Sequence, residues 1–422
     1  MKYSWLPLVV LIPSLTHAAD WPQYRGPSGD GISAETVAWK AAGLKTVWKV
    51  PSLGGFSSFA VSEGRAFTQS LQEVDGASQE VLVAHDALKG NVLWSAPLVV
   101  AKYDKGGDDG FKDKSDESKN NIGGDGPRST PTVVGKLVVV MSSQLALKAF
   151  DTATGKVVWT RDLKAEHEGR NIQWQNAASP LLEGGLLYVA GGGAGQSLMA
   201  VDPKNGAVVW KAFDEKMTHA TPVAATIGGQ RQVIFFVQSG LLSVEPKTGK
   251  ELWRYAFPYK ISTAASPVVG GDIVYCSAGY GVGAGAVKVS KEGETWKATE
   301  IYRVTGNTPL ANHWSTPVVK DGYLYGMFQF KEYAKGPVKC VELATGTVKW
   351  TKEGFGPGHV ILLGNEVVAL SDAGELVRFA AQPGEYKELS RQAVLTGKCW
   401  TTPSVSGGKI FVRSTKEAAC LE

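Results

Sequence analysis

The sequence predicts an all-β fold, an eight-bladed β-propeller of four-stranded antiparallel blades, and three observations predict it. The first is a spacing: a turn Gly followed four residues later by Trp recurs at Gly90/Trp94, Gly155/Trp159, Gly206/Trp210, Gly249/Trp253 and Gly346/Trp350. These copies open with an acid (Asp86, Asp151, Asp202, Glu245, Glu342), so the unit reads as strand, acidic turn, strand. The second is a Ser/Thr-Pro step followed by a β-branched run and a Gly turn. The third is an unassigned strand near the start of the chain, matched by a last unit that is one strand short.

Taken in order, the units begin with the degenerate SSFAVSEGRAF (57–67) and continue with STPTVVGKLVVV (129–140), ASPLLEGGLLYVA (178–190) and ATPVAATI (220–227). They go on through ASPVVGGDIVYC (265–276), STPVVKDGYLYG (315–326), the degenerate GHVILLGNEVVAL (358–370) and TTPSVSGGKIFV (401–412). Aligned at Phe59, Pro131, Pro180, Pro222, Pro267, Pro317, Val360 and Pro403, they are spaced by 72, 49, 42, 45, 50, 43 and 43 residues. A period of about 40–50 residues with short strands is that of propeller blades, not of helical solenoids. The last unit holds three strands, near 401–405, 409–414 and 417–421, while the orphan LKTVWKV (44–50) has the make-up of an outer, Trp-bearing strand. Adding that N-terminal strand to the C-terminal blade closes the ring and removes an open sheet edge.

The expected organisation is a signal peptide over 1–18, a lead-in over 19–43 and the propeller over 44–422, with an insertion at 101–126. MKYSWLPLVVLIPSLTHA carries one Lys, an apolar stretch and small residues at Thr16 and Ala18, the pattern of a cleaved secretory signal. A periplasmic or secreted protein is expected, and no Cys stands near the cleavage point to take a lipid anchor. No later stretch is long and apolar enough for a transmembrane helix. The insertion is rich in Asp, Lys, Gly and Ser, as a solvated loop is; Asp104, Asp108, Asp109 and Asp113 lack the ordered pattern of a calcium loop. A net charge of +4, from 44 basic and 40 acidic residues, gives no nucleic-acid signal. Cys276, Cys340, Cys399 and Cys420 fall on different repeats at no metal-binding or disulfide-framework spacing; in an exported protein a bridge between two of them is the alternative to the reading of Cys276, Cys340 and Cys420 as small buried hydrophobes. No metal site is expected.

ATGKVVW (153–159), KNGAVVW (204–210), KTGKELW (247–253) and ATGTVKW (344–350), with the Ser/Thr-Pro-Val-Val strands, resemble the pyrroloquinoline-quinone (PQQ) repeat. DWPQYRGPSGDGIS (20–33) is similar to the lead-in of exported bacterial PQQ-like propellers. The resemblance covers nearly the whole mature chain and implies that Trp94, Trp159, Trp210, Trp253 and Trp350 dock neighbouring blades. Blades five and seven depart from it, with Gly293/Trp296 at shorter spacing and Tyr386 in an irregular QPGEYKEL. Two branches share the repeat: quinoprotein alcohol dehydrogenases, which use PQQ and calcium, and the non-enzymatic BamB-type assembly propellers. The dehydrogenases carry an adjacent Cys pair over the cofactor, and those fused to a haem carry C-x-x-C-H; this chain has neither.

The segments just before the Pro marker should lie near the propeller axis. They hold Arg128, Trp174, Asn176, His219, His313, Trp314, Lys398 and Trp400, which form the expected axial ligand site. Arg128 and Lys398 suit carboxylates, the tryptophans suit a planar ring, and His219 or His313 suits proton transfer near neutral pH. The alternative is that the histidines and Arg128 merely satisfy backbone groups. AGGGAGQ (190–196) and AGYGVGAGA (278–286) follow strands without a helix to come, so they read as wide turns or loops and not as dinucleotide sites. The expected function is a monomeric binding or assembly module for an unknown protein or a small anionic or planar ligand. A PQQ-dependent oxidoreductase using the same axial site is the alternative, with no catalytic residue assigned.

Overall fold

Every Gly turn in the repeat permits a tight strand reversal, and the computed structural model shows what those reversals build. It describes residues 20–39, 43–101, 126–329 and 332–422. The signal segment and nearly all of the 101–126 insertion, with its four aspartates, lie outside these residues. Eight antiparallel sheets follow one another around a ring. Seven have four strands, and the seventh blade has a fifth, because Ile32–Ser33 pairs in parallel with its inner strand, His359–Leu363. The described residues contain one short helix, Leu163–His167, capped by the Asp162 carboxylate. The eighth blade takes three strands from the C-terminus (Ser404–Ser406, Lys409–Arg413, Glu417–Leu421) and its outer strand, Thr46–Pro51, from the N-terminus. The ring is thus closed as its unassigned strand predicts.

The Gly-x-x-x-Trp spacing acquires a physical meaning between blades. The indole N–H groups of Trp94, Trp159, Trp210 and Trp350 donate to the carbonyls of Thr152, Pro203, Pro246 and Gln382 in the following blade, at 2.8–3.0 Å. Trp48 of the closing strand does the same to Ala87 of blade one at 2.9 Å. The rings of Trp48, Trp94, Trp159 and Trp210 also cover the next turn glycine. A Cβ on Gly155 or Gly206, at φ of +70° and +71°, would stand 2.6 and 2.7 Å from Trp94 and Trp159, so the glycine makes both the turn and the seat. Trp253 is buried, as Trp159 is, but its N–H turns back to Gln232 Oε1 of its own blade at 2.7 Å. The cause is blade five, whose third and fourth strands are long (Gly283–Glu292 and Thr295–Val304) and replace the acidic turn. There Tyr302 takes the Trp position, lying 3.0 Å from where a Gly346 Cβ would be.

The Ser/Thr-Pro step is a latch around the axis. The backbone N–H of Ser58 donates to Thr130 Oγ1, that of Thr130 to Ser179 Oγ, and that of Ser179 to Thr221 Oγ1. Ser266 N–H donates to Thr316 Oγ1, and Thr402 N–H to Ser58 Oγ across the closure. The hydroxyl of one blade therefore satisfies a buried amide of the preceding one, where the β-ladder provides no partner. In blade seven, which lacks the motif, His359 Nδ1 meets Thr402 Oγ1 at 3.2 Å.

The lead-in seals the opposite end. Trp21, 1% exposed, exchanges backbone hydrogen bonds with Val61 of blade one. Pro22 O accepts from Val133 N of blade two, and Gln23 Oε1 from Leu182 N of blade three. Arg25 donates to the Thr316 and Pro317 carbonyls of blade six, Gly31 O accepts from Leu362 N of blade seven, and Glu35 Oε2 accepts from Gly408 N of blade eight. Fifteen residues of sequence, Trp21 to Glu35, thus cross the base and reach groups of six blades.

A candidate axial site at the mouth of the ring

Inner strands run from the mouth toward the sealed base, so the residues preceding them meet at the open end. One repeat position, three residues before the Pro marker, supplies Phe56, Arg128, His219, Trp314 and Trp400 from blades one, two, four, six and eight. In blades three and five that position is Ala177 and Ala264, and the space is taken by Trp174 and by Tyr280 from a neighbouring turn. Trp174 and Gln175 stand successively at φ of +61° and +66°, a reversal that non-glycine residues rarely adopt.

These side chains form a closed circuit. Phe56 meets Trp400 at 4.9 Å between ring centroids, Trp400 meets Trp314 at 4.5 Å, and Trp314 meets His313 at 4.5 Å. His313 meets Tyr280 at 5.0 Å, Tyr280 stacks on Trp174 at 6.1 Å, and the Trp174 carbonyl accepts from Arg128 at 3.0 Å. The Arg128 guanidinium returns to the face of Phe56 at 5.8 Å. Lys398 Nζ lies 4.1 Å over Trp400 and 5.6 Å from Tyr333, which stacks on the same indole. Seven of the eight residues expected at the axis are therefore gathered at one mouth. Asn176 is placed apart: fully buried, its amide donates to the Ser142 and Ala178 carbonyls and accepts from Ala178 N.

The polar groups divide into spent and available. His219 Nε2 donates to the Gln173 carbonyl at 2.8 Å, which fixes Nδ1 as the acceptor for the Ser262 hydroxyl at 3.0 Å. Burial pushes its pKa down to about 4, so it is neutral and ties blades three, four and five together. His359 is buried likewise and is pushed down to about 3. The Trp314 N–H donates to Pro357 O at 2.7 Å. The Trp400 N–H is buried and has no acceptor. Burial lowers the Lys398 pKa while the nearby Asp372 opposes the shift; Asp372, itself raised by burial, accepts from Ala334 N.

Phe56, Tyr280 and Tyr333 were not among the expected residues. Phe56 was visible in principle as the same repeat position as Arg128 and Trp400, whereas Tyr280 and Tyr333 come from turns that no repeat marks. Of the two Gly-rich segments, AGGGAGQ forms the expected turn, but Gly283–Ala286 of the other lies inside a strand. A Cβ on Gly285 would stand 2.8 Å from the Tyr255 hydroxyl, which bonds Glu300.

Comparison with known proteins adds the family. The profile of the family described as outer membrane protein assembly factor BamB matches residues 78–327, more than half of the chain. The chain is 24% identical over 290 residues to the outer membrane protein assembly factor BamB of Shewanella oneidensis, covering 66% of this chain and 69% of that protein. It is 24% identical over 273 residues to that of Moranella endobia, covering 61% of this chain and 66% of the relative. Among solved structures, BamB from Moraxella catarrhalis superposes with a TM-score of 0.60 at 14% identity, over 90% of this chain and 99% of that one. A quinohemoprotein alcohol dehydrogenase from Comamonas testosteroni superposes at 0.63 and 14% identity, over 96% and 80%. At such identities these likenesses are of fold. The match over residues 78–327 carries the assignment: the chain belongs to the PQQ-repeat family of the outer membrane protein assembly factor BamB.

Proposed function

We propose that this chain is an exported, monomeric propeller of the periplasm that acts as a protein-binding assembly module through its axial mouth. One observation carries the reading: His219, one of the two histidines suited to proton transfer at the axis, is spent on the ring. His219 has both nitrogens bonded and a depressed pKa, and Asn176 is turned to its own loop. Arg128 and Lys398 stand beside the aromatic circuit at the mouth. The names of the related proteins, assembly factors of the outer membrane, agree with export and with a polypeptide partner.

The mouth fits PQQ only in part. Arg128 and Lys398 suit its carboxylates, but the aromatic rings contact one another at interplanar angles of 32–83° from Phe56 round to Tyr280, and the two near-parallel pairs, Tyr280/Trp174 and Tyr333/Trp400, already stack on each other at 6.1 and 5.8 Å between centroids. Among the described residues, no three His, Cys, Asp or Glu side chains cluster to hold a cation. Purified protein incubated with PQQ and calcium is expected to leave a redox dye unbleached in the presence of alcohols or sugars. Bleaching at a turnover rate above that of free PQQ would overturn the assembly reading in favour of a dehydrogenase.

A further inference from the structure

We infer that the base of the propeller holds a second polypeptide site, where an extended strand of a partner protein, apolar at alternate positions, adds to the inner edge of blade four. The site lies at the other end of the axis from the mouth and does not depend on what the mouth binds. The register of the inner hairpins defines the groups involved. In blade two the pair next to the turn is Val134 and Leu137, so Val133, one residue earlier, directs its N–H and C=O away from its own sheet and toward the axis. Val61, Leu182 and Leu362 hold the same place in blades one, three and seven. The lead-in gives all four amides an acceptor: the carbonyls of Trp21, Pro22 and Gly31 for Val61, Val133 and Leu362, and Gln23 Oε1 for Leu182.

Two residues after the Pro marker, blades four, five and six place Ala224, Val269 and Val319, whose amides have no acceptor among the described residues. A cavity of about 270 Å³ stands there instead, lined by all three and by Ser28, Gly29 and Asp30 of the lead-in. Blade four offers more than its neighbours, because its inner strand runs Val223–Ile227 before turning. Ala224 and Thr226 both face outward in its register, two residues apart, as an added strand requires. The structure also shows what such an edge takes. On blade seven it takes Ile32–Ser33 as a parallel strand, and on blade one it takes Trp21 in an antiparallel bridge, so the occupant is extended backbone in both. The charged groups at the cavity are engaged: Arg25 by three carbonyls, Arg231 by Glu183, and Asp30 by the Ile32 amide. Pro267 and Val268 are buried in its wall, so main-chain pairing and apolar contact set the specificity.

The probe is a capped, fluorophore-labelled peptide of about eight residues alternating Val and Thr, titrated into the mature full chain and followed by anisotropy. Saturable binding is expected. Two versions, one N-methylated on the Val amides and one on the Thr amides, should differ by roughly tenfold or more, because only alternate N–H groups of an added strand face the blade. Ala224→Pro removes the edge amide at a position an edge strand tolerates, and Ser28→Trp fills the cavity from an exposed residue; each should weaken the peptide by roughly tenfold. Unchanged melting temperatures confirm that the variants are folded, and Thr226→Pro replaces Ala224→Pro if that variant is not. Val158→Thr, on the exposed outer strand of blade two, is expected to bind as the unaltered protein does. Absence of saturable binding, equal binding of the two methylated peptides, or folded proline and Ser28→Trp variants that bind undiminished would overturn the inference. So would a loss with Val158→Thr, which would place the peptide on an outer edge. The dye assay with PQQ reads the mouth alone, so the two readings fail separately.

Discussion

Replacing Arg413 with Met should open the propeller at its seam. Arg413 lies on the second strand of blade eight, is fully buried, and directs its guanidinium wholly into blade one. One terminal nitrogen donates to the carbonyls of Ser57 and Gln69 and to the Thr68 hydroxyl, the other to the carbonyls of Leu53 and Gly54. Burial pushes its pKa down to about 10, which leaves it charged at neutral pH. No carboxylate accompanies it, so the charge is solvated by five oxygens of the adjoining blade. Methionine roughly matches the stem but leaves those oxygens without a donor, at about 1–3 kcal/mol for each that water cannot reach. Removal of the desolvated charge returns part of this, so the expected net loss is about 3–5 kcal/mol, comparable with breaking a buried ion pair. Urea unfolding followed by tryptophan fluorescence measures it, with Arg391→Met, which removes an exposed guanidinium paired to Glu375 and Glu388, as the surface control. An Arg413→Met midpoint no lower than that of the control would refute the argument that this side chain carries the closure.

Three further outcomes are expected. Trp159→Ala and Trp253→Ala should each lower stability by about 3–5 kcal/mol through loss of a buried ring, without changing peptide affinity; a binding defect at an unchanged melting temperature would refute the strut role. Deleting residues 20–50 removes both the base seal and the outer strand of blade eight and should yield aggregated protein by light scattering; a monomer with an unchanged melting curve would contradict the seam. Because His219 and His359 are neutral when folded and take up protons near pH 6.5 when unfolded, stability is complete above that value and falls as pH drops toward 4. Each should contribute on the order of 3 kcal/mol by pH 4.5, and His359→Asn should flatten the slope of denaturation midpoint against pH; an unaltered slope would refute it.

The ring was legible because its information repeats: a Gly, an acid, a Trp and a Ser/Thr-Pro step recur at near-constant spacing, and each repeat constrains the reading of the next. The convergence of Arg128, Trp314 and Trp400 was legible for the same reason, since they share one position in the unit. Arg413 was not, because IFVRS reads as an ordinary strand and its partners lie more than 340 residues away in sequence. The seal formed by residues 20–35 was equally hidden: Trp21, Gln23 and Arg25 satisfy backbone groups of blades one, three and six, and no local pattern marks a residue whose partners are main-chain atoms elsewhere. Trp253 shows the limit of analogy, since it keeps the spacing but loses the neighbouring carbonyl when blade five exchanges its turn for a long hairpin.

The closing strand also imposes an order in time. Thr46–Pro51 precedes its partner, Glu417–Leu421, by about 370 residues of sequence (Lys49 pairs with Ala419). At roughly 5–20 residues per second, the early strand waits on the order of tens of seconds for its neighbour. Throughout that interval blades one to seven can form by local hairpins and Trp48 can seat on Ala87 and Gly90 of blade one, while the backbone edge of Thr46–Pro51 has no strand to pair with. Closure is therefore an encounter between two strands far apart in sequence, and a chaperone that shields an unpaired strand would act on this propeller at Thr46–Pro51 and only until Glu417–Leu421 is made.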